Sequence, residues 1–276
     1  MRKIKYPLIV SDFDGTLVRE DGTISERTRT AIRKYVEAGG HFAISTGRMP
    51  TGILPRAREL GLTGVVCCGQ GTAIVGIQNN EVISTGRMSN DVAVAICEKM
   101  ERLNLHIHVY DLWDYYSNMN DDALAAYEKV VGVKAIVKDE KPISQFVRET
   151  NLQPFKILAA VAPEDNEKVR LELEAENFKD CQVTRSSIFL VEVGNAKYSK
   201  GTAVNFLAER YGANIESVIA VGDQRNDLAM IEVAGLGIAV KNADEALKEA
   251  ANLVLEYTND EDAIAEIIEK YAYMEE

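Results

Sequence analysis

The chain has 276 residues, of which 46% are hydrophobic, a formal net charge of −12 and four cysteines. That length accommodates one large or two modest domains, and that charge argues against general affinity for nucleic acid, whose phosphates need a basic surface. A small anion held in a locally basic pocket is still compatible with it.

Residues 1–7 carry Arg2, Lys3 and Lys5, and the apolar run behind them stops at Asp12. The run is too short for a signal-peptide core or a membrane span, so a cytoplasmic protein without membrane contact is expected. Cys67, Cys68, Cys97 and Cys181 form no Cys-x-x-Cys pair, which gives no sign of a zinc ribbon or a dithiol site and fits reduced thiols.

The N-terminal third alternates strand and helix. Residues 8–12 read as a buried strand. Ser25 reads as the N-cap of a helix whose apolar face carries Ala31, Ile32, Tyr35 and Val36, ended by Gly39-Gly40. A strand at 41–45, a helix at 56–60 and a strand at 64–68 follow. The last third resumes the rhythm, with helices at 200–211, 228–234, 243–251 and 260–271 and strands at 217–221, 235–240 and 253–255. Such alternation predicts a parallel sheet covered on both faces.

The stretch between reads differently. Helices are expected at 89–104, 121–130 and 165–176. Residues 105–110 and 115–117 alternate like half-exposed antiparallel strands, 155–161 is a further strand, and 183–184 with 188–193 suggests a closing hairpin. The predicted fold class is therefore α/β: a Rossmann-like parallel-sheet core, residues 1–83 and 192–276, with an α+β cap inserted at 84–191. Gly86 and Gly194-Asn195 are candidate hinges.

Four motifs would meet at one edge of the core sheet, where open α/β sheets bind ligands. They are Asp12-Phe13-Asp14-Gly15-Thr16, Ser45-Thr46-Gly47-Arg48, Lys200-Gly201 and Gly222-Asp223-Gln224-Arg225-Asn226-Asp227. Two aspartates spaced i and i+2 share a face if the strand persists, and such neighbours repel unless a cation or a proton is shared. A lone aspartate after a strand is ordinarily a turn or cap residue; here the other motifs coincide with it. Lys200 opens a helix, where a cation runs against the dipole, so something else must reward it; Lys197 competes for the same task. Carboxylates, a hydroxyl, backbone amides and an ammonium together suit phosphoryl transfer.

In these motifs, their order and their spacing, the chain resembles the haloacid dehalogenase (HAD) superfamily, in particular the Cof-type phosphatases with an inserted α+β cap (subclass IIB). The resemblance covers essentially the whole core. It implies a Mg²⁺-dependent phosphatase that hydrolyses a small phosphorylated metabolite, such as a sugar phosphate, through an aspartyl-phosphate on Asp12. Asp14 would protonate the leaving alkoxide and then deprotonate water. Thr46 and Gly47 would bind the phosphoryl group, Lys200 would balance its charge, and Asn226 would lie near it. Asp223 would join the Asp12 carboxylate and the Asp14 carbonyl on Mg²⁺, with Asp227 behind these ligands or reaching the ion through water. Asp14 favours phosphatase over dehalogenase chemistry, since the acid step needs a carboxyl there.

Departures from the usual pattern are Gln70-Gly71-Thr72, Lys241-Asn242-Ala243 and Asp262-Ala263. Lys241 is a rim cation or a solvated loop lysine. Arg48 is either a salt-bridge partner or a substrate contact. His106, His108 and Tyr110 share a strand face by period two; an exposed sheet face is the ordinary reading, a face toward substrate the sharper one, and no third ligand supports a metal. Trp113, Tyr115 and Tyr116 are read as packing beneath the cap. A sugar phosphomutase and a non-catalytic sugar-phosphate sensor are the competing functions, and a monomer or homodimer is expected.

Overall fold

The computed structural model describes residues 3–274; Arg2, of the basic N-terminal stretch, lies outside them. Five strands come first: β1 (Leu8–Ser11), β2 (His41–Ser45), β3 (Val65–Cys68), β4 (Ala73–Gly76) and β5 (Val82–Thr85). Six more form the insert: β6 (His106–Tyr110), β7 (Tyr115–Ser117), β8 (Ile136–Val137), β9 (Lys156–Ala160), β10 (Cys181–Ser187) and β11 (Leu190–Asn195). The chain then returns through β12 (Val218–Gly222), β13 (Leu236–Ala239) and β14 (Leu253–Val254).

The first sheet has eight strands in the order β14-β13-β12-β1-β2-β3-β4-β5. The six strands from β14 to β3 are parallel, and their apolar runs are covered on both faces by helices. The hairpin β4–β5 adds antiparallel strands at the β3 edge, which the alternation did not foretell. Its turn passes through Asn80 at φ 58, a left-handed position that asparagine tolerates. Ser25 does cap the helix Glu26–Glu37, accepting from the Thr28 N–H. Ala31, Ile32 and Tyr35 of that helix are buried, whereas Val36 is 36% exposed and lies off the buried face. The helix expected at 56–60 is longer, Pro50–Glu59, and starts immediately behind the Thr46 loop.

The insert is built on a sheet of its own, in the order β10-β11-β9-β6-β7-β8. Its last strand runs through position 191 and on to Asn195. A helix at Ile143–Glu149 had no clear sequence signal. β6 is buried at every position rather than half-exposed. Ile107 and Val109 turn into the insert's apolar core with Met100, Ile157 and Val193. The other face of β6 carries His106, His108 and Tyr110, and it too is covered. The exposed-face reading of these three residues is therefore wrong, because the helix Asp122–Val131 and β7 pack over them. Tyr110 and Tyr115 stack with ring centroids 5.0 Å apart. They join Leu124, Phe155 and Leu158 in a small apolar cluster that also takes in Met49 of the first sheet's domain. All four cysteines are unpaired, and burial pushes the Cys67 thiol up to about 12, so it stays neutral.

Candidate active site

β1 ends at Ser11, yet the Asp12 N–H still donates to Val221 O at 2.9 Å, which fixes Asp12 at the carboxyl edge of the sheet. The chain then turns back: Phe13 O accepts from both Leu17 N and Val18 N, and Gly15 takes φ +77. That turn breaks the period-two relation. Asp12 and Asp14 diverge rather than sharing a strand face.

Asp12 is buried and accepts from Lys200 Nζ at 2.6 Å. The same ammonium donates to Asp227 Oδ1 at 2.5 Å. Two carboxylates are what reward a lysine at the start of the helix Lys200–Arg210, whose own N-terminus is capped by Ser199 and Thr202. Lys197 is exposed and takes no part. The second oxygen of Asp227 accepts the N–H groups of Asp223 (3.0 Å) and Gln224 (2.9 Å), so this fully buried side chain ties the last motif loop to Lys200. Asp223 accepts from Thr16 Oγ1 at 2.6 Å and from Gln224 Nε2 at 3.1 Å. A Cβ on Gly15 would lie 2.4 Å from Asp223 Oδ2, so the close approach as well as the positive φ requires glycine.

Oxygens of Asp12, Asp223 and Asp227 lie within 4.8 Å of one another, all buried. One ammonium faces three carboxylates there. Burial opposes the Lys200 charge, but Asp12 and Asp227 outweigh it and hold the amine protonated. Burial, reinforced by Asp227, pushes the Asp12 carboxyl well up. Burial likewise pushes Asp223 up to about 6, against the Thr16 hydrogen bond. An all-oxygen, over-negative buried cluster fits a hard divalent cation. The Asp14 side chain is not part of it.

Asp14 instead sits in a bidentate fork with Arg48, at 2.7 Å from both Nε and Nη2. Arg48 also donates to the carbonyls of Val131 and Val130, both at 3.3 Å, at the end of the helix Asp122–Val131. It thereby satisfies helix-terminal carbonyls of the insert with a cation. The salt-bridge reading of Arg48 holds, with an addition the sequence did not suggest: its second partner is the insert.

Thr46 is buried and its Oγ1 accepts from the Arg48 N–H at 3.1 Å, which leaves the hydroxyl proton for a ligand. Gly47 lies close under Gln70, so that a Cβ there would meet Gln70 Nε2 at 2.6 Å and displace that amide. Gln70 holds φ 61, and its Oε1 accepts from Asn226 Nδ2 at 3.0 Å. Asn226 Oδ1 is buried without a partner among the described residues. Asp12, Asp14, Thr46, Gly47 and Asn226 all line one cavity of about 230 Å³ between the two sheets, and Lys200 reaches Asp12 from behind. Lys241 lies outside it and is exposed, while its neighbour Asn242 clamps the motif by donating to Gly15 O at 2.8 Å.

The insert contributes residues to this cavity that sequence reasoning passed over: Tyr127, Lys156, Ser186 and Glu192, beside Tyr110. A signal was present for two of them, because Lys156 and Glu192 interrupt otherwise apolar strand runs. Tyr127 and Ser186 carry no such mark.

The model of the haloacid dehalogenase-like hydrolase family matches residues 9–268. A 5-amino-6-(5-phospho-D-ribitylamino)uracil phosphatase of Bacillus subtilis is 30% identical over 268 residues, covering 96% of this chain and 95% of the relative. A pyridoxal phosphate phosphatase of Escherichia coli is 28% identical over 277 residues, covering 95% and 97%. Among solved structures, a haloacid dehalogenase-like hydrolase from Bacteroides thetaiotaomicron superposes with a TM-score of 0.83 at 30% identity, covering 96% of this chain and 99% of the other. A subclass IIB sugar phosphatase, BT4131, shares the fold at a TM-score of 0.82 and 20% identity over 96% and 98% of the two chains. With the motif residues gathered at one sheet edge and the match running through both sheets, this chain belongs to the haloacid dehalogenase-like hydrolases and is a phosphatase of their Cof-type group.

Proposed function

We propose that the protein is a Mg²⁺-dependent phosphatase that releases phosphate from a small phosphomonoester through an aspartyl-phosphate on Asp12. The observation that carries this reading is the joint presence of Asp12, Asp14 and Thr46 on one small cavity, with a buried ammonium behind the first of them. Mg²⁺, held by Asp12 and Asp223 with Asp227 supporting from behind, would supply positive charge against the phosphoryl oxygens.

The chain's own residues account for the rest. Asp12 is the nucleophile; burial raises its carboxyl, and the Lys200 ammonium opposes that rise. The Thr46 hydroxyl and the backbone of the Gly47 loop donate to the phosphoryl oxygens. Asp14 lines the same cavity in its fork with Arg48; released from that fork, a protonated carboxyl can serve the departing oxygen and a carboxylate can then take a proton from water, and such a group contributes roughly 10²–10⁴-fold. The insert, expected at 84–191 and closing with the strand Leu190–Asn195, covers the cavity and excludes bulk water during the first step.

The test is phosphate release from a panel of phosphomonoesters, with and without Mg²⁺, by wild type and Asp12→Asn. Metal-dependent release that disappears in the variant is expected. Residual activity of the variant above about one percent of wild type would remove Asp12 from its role, since loss of a covalent nucleophile costs far more than 10²-fold. Isomerised phosphosugar in place of free phosphate would move the assignment to a mutase. Asp14→Asn should slow alkyl phosphates much more than aryl phosphates, whose leaving groups need no acid.

A further inference from the structure

Glu192 and Lys156 lie on adjacent antiparallel strands, two register positions apart on one face, because Glu192 pairs with Leu158 and Gly194 with Lys156. Both are buried, at 4% and 5% exposure. Taking two charges out of water costs several kcal/mol per ion, and apolar residues of similar size fill such a space at least as well. The pair also closes loosely, at 3.3 Å from Nζ to Oε1, against about 2.7–2.9 Å for a tight charge-assisted bond. Stability alone does not explain it.

Its surroundings do. Lys156 Nζ also donates to Gly47 O at 3.2 Å and lies 4.6 Å above the Tyr110 ring. Ser186 Oγ donates to Glu192 Oε1 at 2.7 Å. Both partners of the carboxylate thus meet Oε1, and among the described residues nothing hydrogen-bonds Oε2. All of these groups line the same cavity as Asp12 and Asp14, and Tyr110, Lys156, Ser186 and Glu192 are the insert's contribution to it. Its volume of about 230 Å³ is below the roughly 300–1,000 Å³ typical of drug-sized ligands.

We infer that the Lys156–Glu192 pair, with Ser186, is the site that reads the leaving group, and that it selects a neutral, hydroxyl-bearing leaving group over one with a second anionic group. This deepens the phosphatase reading and rests on it. The pair is neutral overall and offers a carboxylate acceptor, an ammonium donor and a hydroxyl, the complement of a polyol. Among the described residues that line the cavity, a second anion would meet no uncommitted cation, since Arg48 is engaged by Asp14 and Lys156 by Glu192, and it would be repelled by the Glu192 carboxylate.

The experiment compares kcat/KM for glycerol phosphate and phosphoglycerate, which differ by a hydroxymethyl group against a carboxylate. Wild type should favour glycerol phosphate by about tenfold or more, the effect of one poorly compensated like charge in a partly desolvated site. Glu192→Gln, which keeps the shape and frees the Lys156 charge, should shift that ratio toward phosphoglycerate by about tenfold. Lys156→Met should shift it the other way, with folding of both variants checked by circular dichroism. Equal use of the two esters by wild type overturns the inference whether or not the variants fold. A ratio that stays constant while both activities fall in Glu192→Gln overturns it as well, since that is the signature of a structural pair. Wild type that hydrolyses neither ester nor p-nitrophenyl phosphate would overturn the phosphatase reading itself, and this inference with it.

Discussion

Replacing Lys200 by methionine tests the electrostatic account of the site without recourse to turnover. The ammonium is fully buried between Asp12 and Asp227, at 2.6 and 2.5 Å. Methionine fills nearly the same space and takes away only the charge and its donors. Removing one partner of a buried ion pair costs about 3–5 kcal/mol, because the remaining charge is stranded; here two carboxylates are stranded, so the loss belongs at the upper end. That is a change of roughly 10³-fold in the folded-to-unfolded ratio. Urea unfolding in metal-free buffer near neutral pH measures it, followed by the fluorescence of Trp113, the single tryptophan, which packs against the core cluster. Mg²⁺ should then stabilise the variant more than the wild type, since it brings charge to oxygens that lie within 4.8 Å of one another. A loss below about 1 kcal/mol without metal, within the range of an ordinary exposed pair, would mean the triad is not charged as described. No Mg²⁺ stabilisation of either protein would remove the metal from this cluster.

Gly15→Ala should lower stability by about 1–3 kcal/mol through its left-handed φ. It should also raise the Mg²⁺ concentration for half-maximal activity, because the new methyl displaces Asp223 from 2.4 Å away; an unchanged Mg²⁺ requirement would refute the contact. A third expectation concerns acid. Burial, with His106 and Lys156 nearby, pushes His108 from 6.5 down to about 3. The unfolded chain takes up a proton near 6.5 that the folded chain refuses until about 3, so the contribution is complete above 6.5 and is lost as pH falls through that window. It amounts to roughly 3–5 kcal/mol. His108→Gln should show a correspondingly shallower loss of stability between these limits. Asp12 and Asp223, whose raised values act in the opposite direction, are common to both proteins and cancel in the comparison. Parallel curves would show that His108 is protonated in the folded state.

The parts of the molecule that were legible in the sequence are those set by local rules. β1, β2 and β12 are short apolar runs ending in chemistry-bearing residues, and a buried parallel strand has few other ways to look. Lys200 was legible because its position contradicts the helix dipole. The position of Asp14 was not, since whether it faces Asp12 depends on where the strand stops, and the glycine directly after it permits either a turn or a bulge. The burial of His106 and His108 was hidden for a different reason: alternation reports polarity, and a polar residue under a helix looks the same as one in water. The insert's side of the cavity is assembled from β6, β9, β10, β11 and the helix Asp122–Val131, so no linear window contains it. Only the charges of Lys156 and Glu192, set among Ile, Leu and Val, left a trace.

β1 lies in the middle of its sheet, between β2 and β12. Its partner Val218 stands some two hundred positions further along the chain from Leu8. As the protein emerges from a ribosome, the first eighty-five residues can align β1 with β2 and β3, but one edge of β1 stays unpaired until the entire insert has been made. The insert, with its own sheet and apolar core, is free to fold in that interval. An apolar strand edge held open so long is what chaperones recognise and aggregates exploit. Biogenesis is therefore most vulnerable while residues 86–217 are being translated, and Asp12 comes into register with Lys200 and Asp223 only in the final step of assembly.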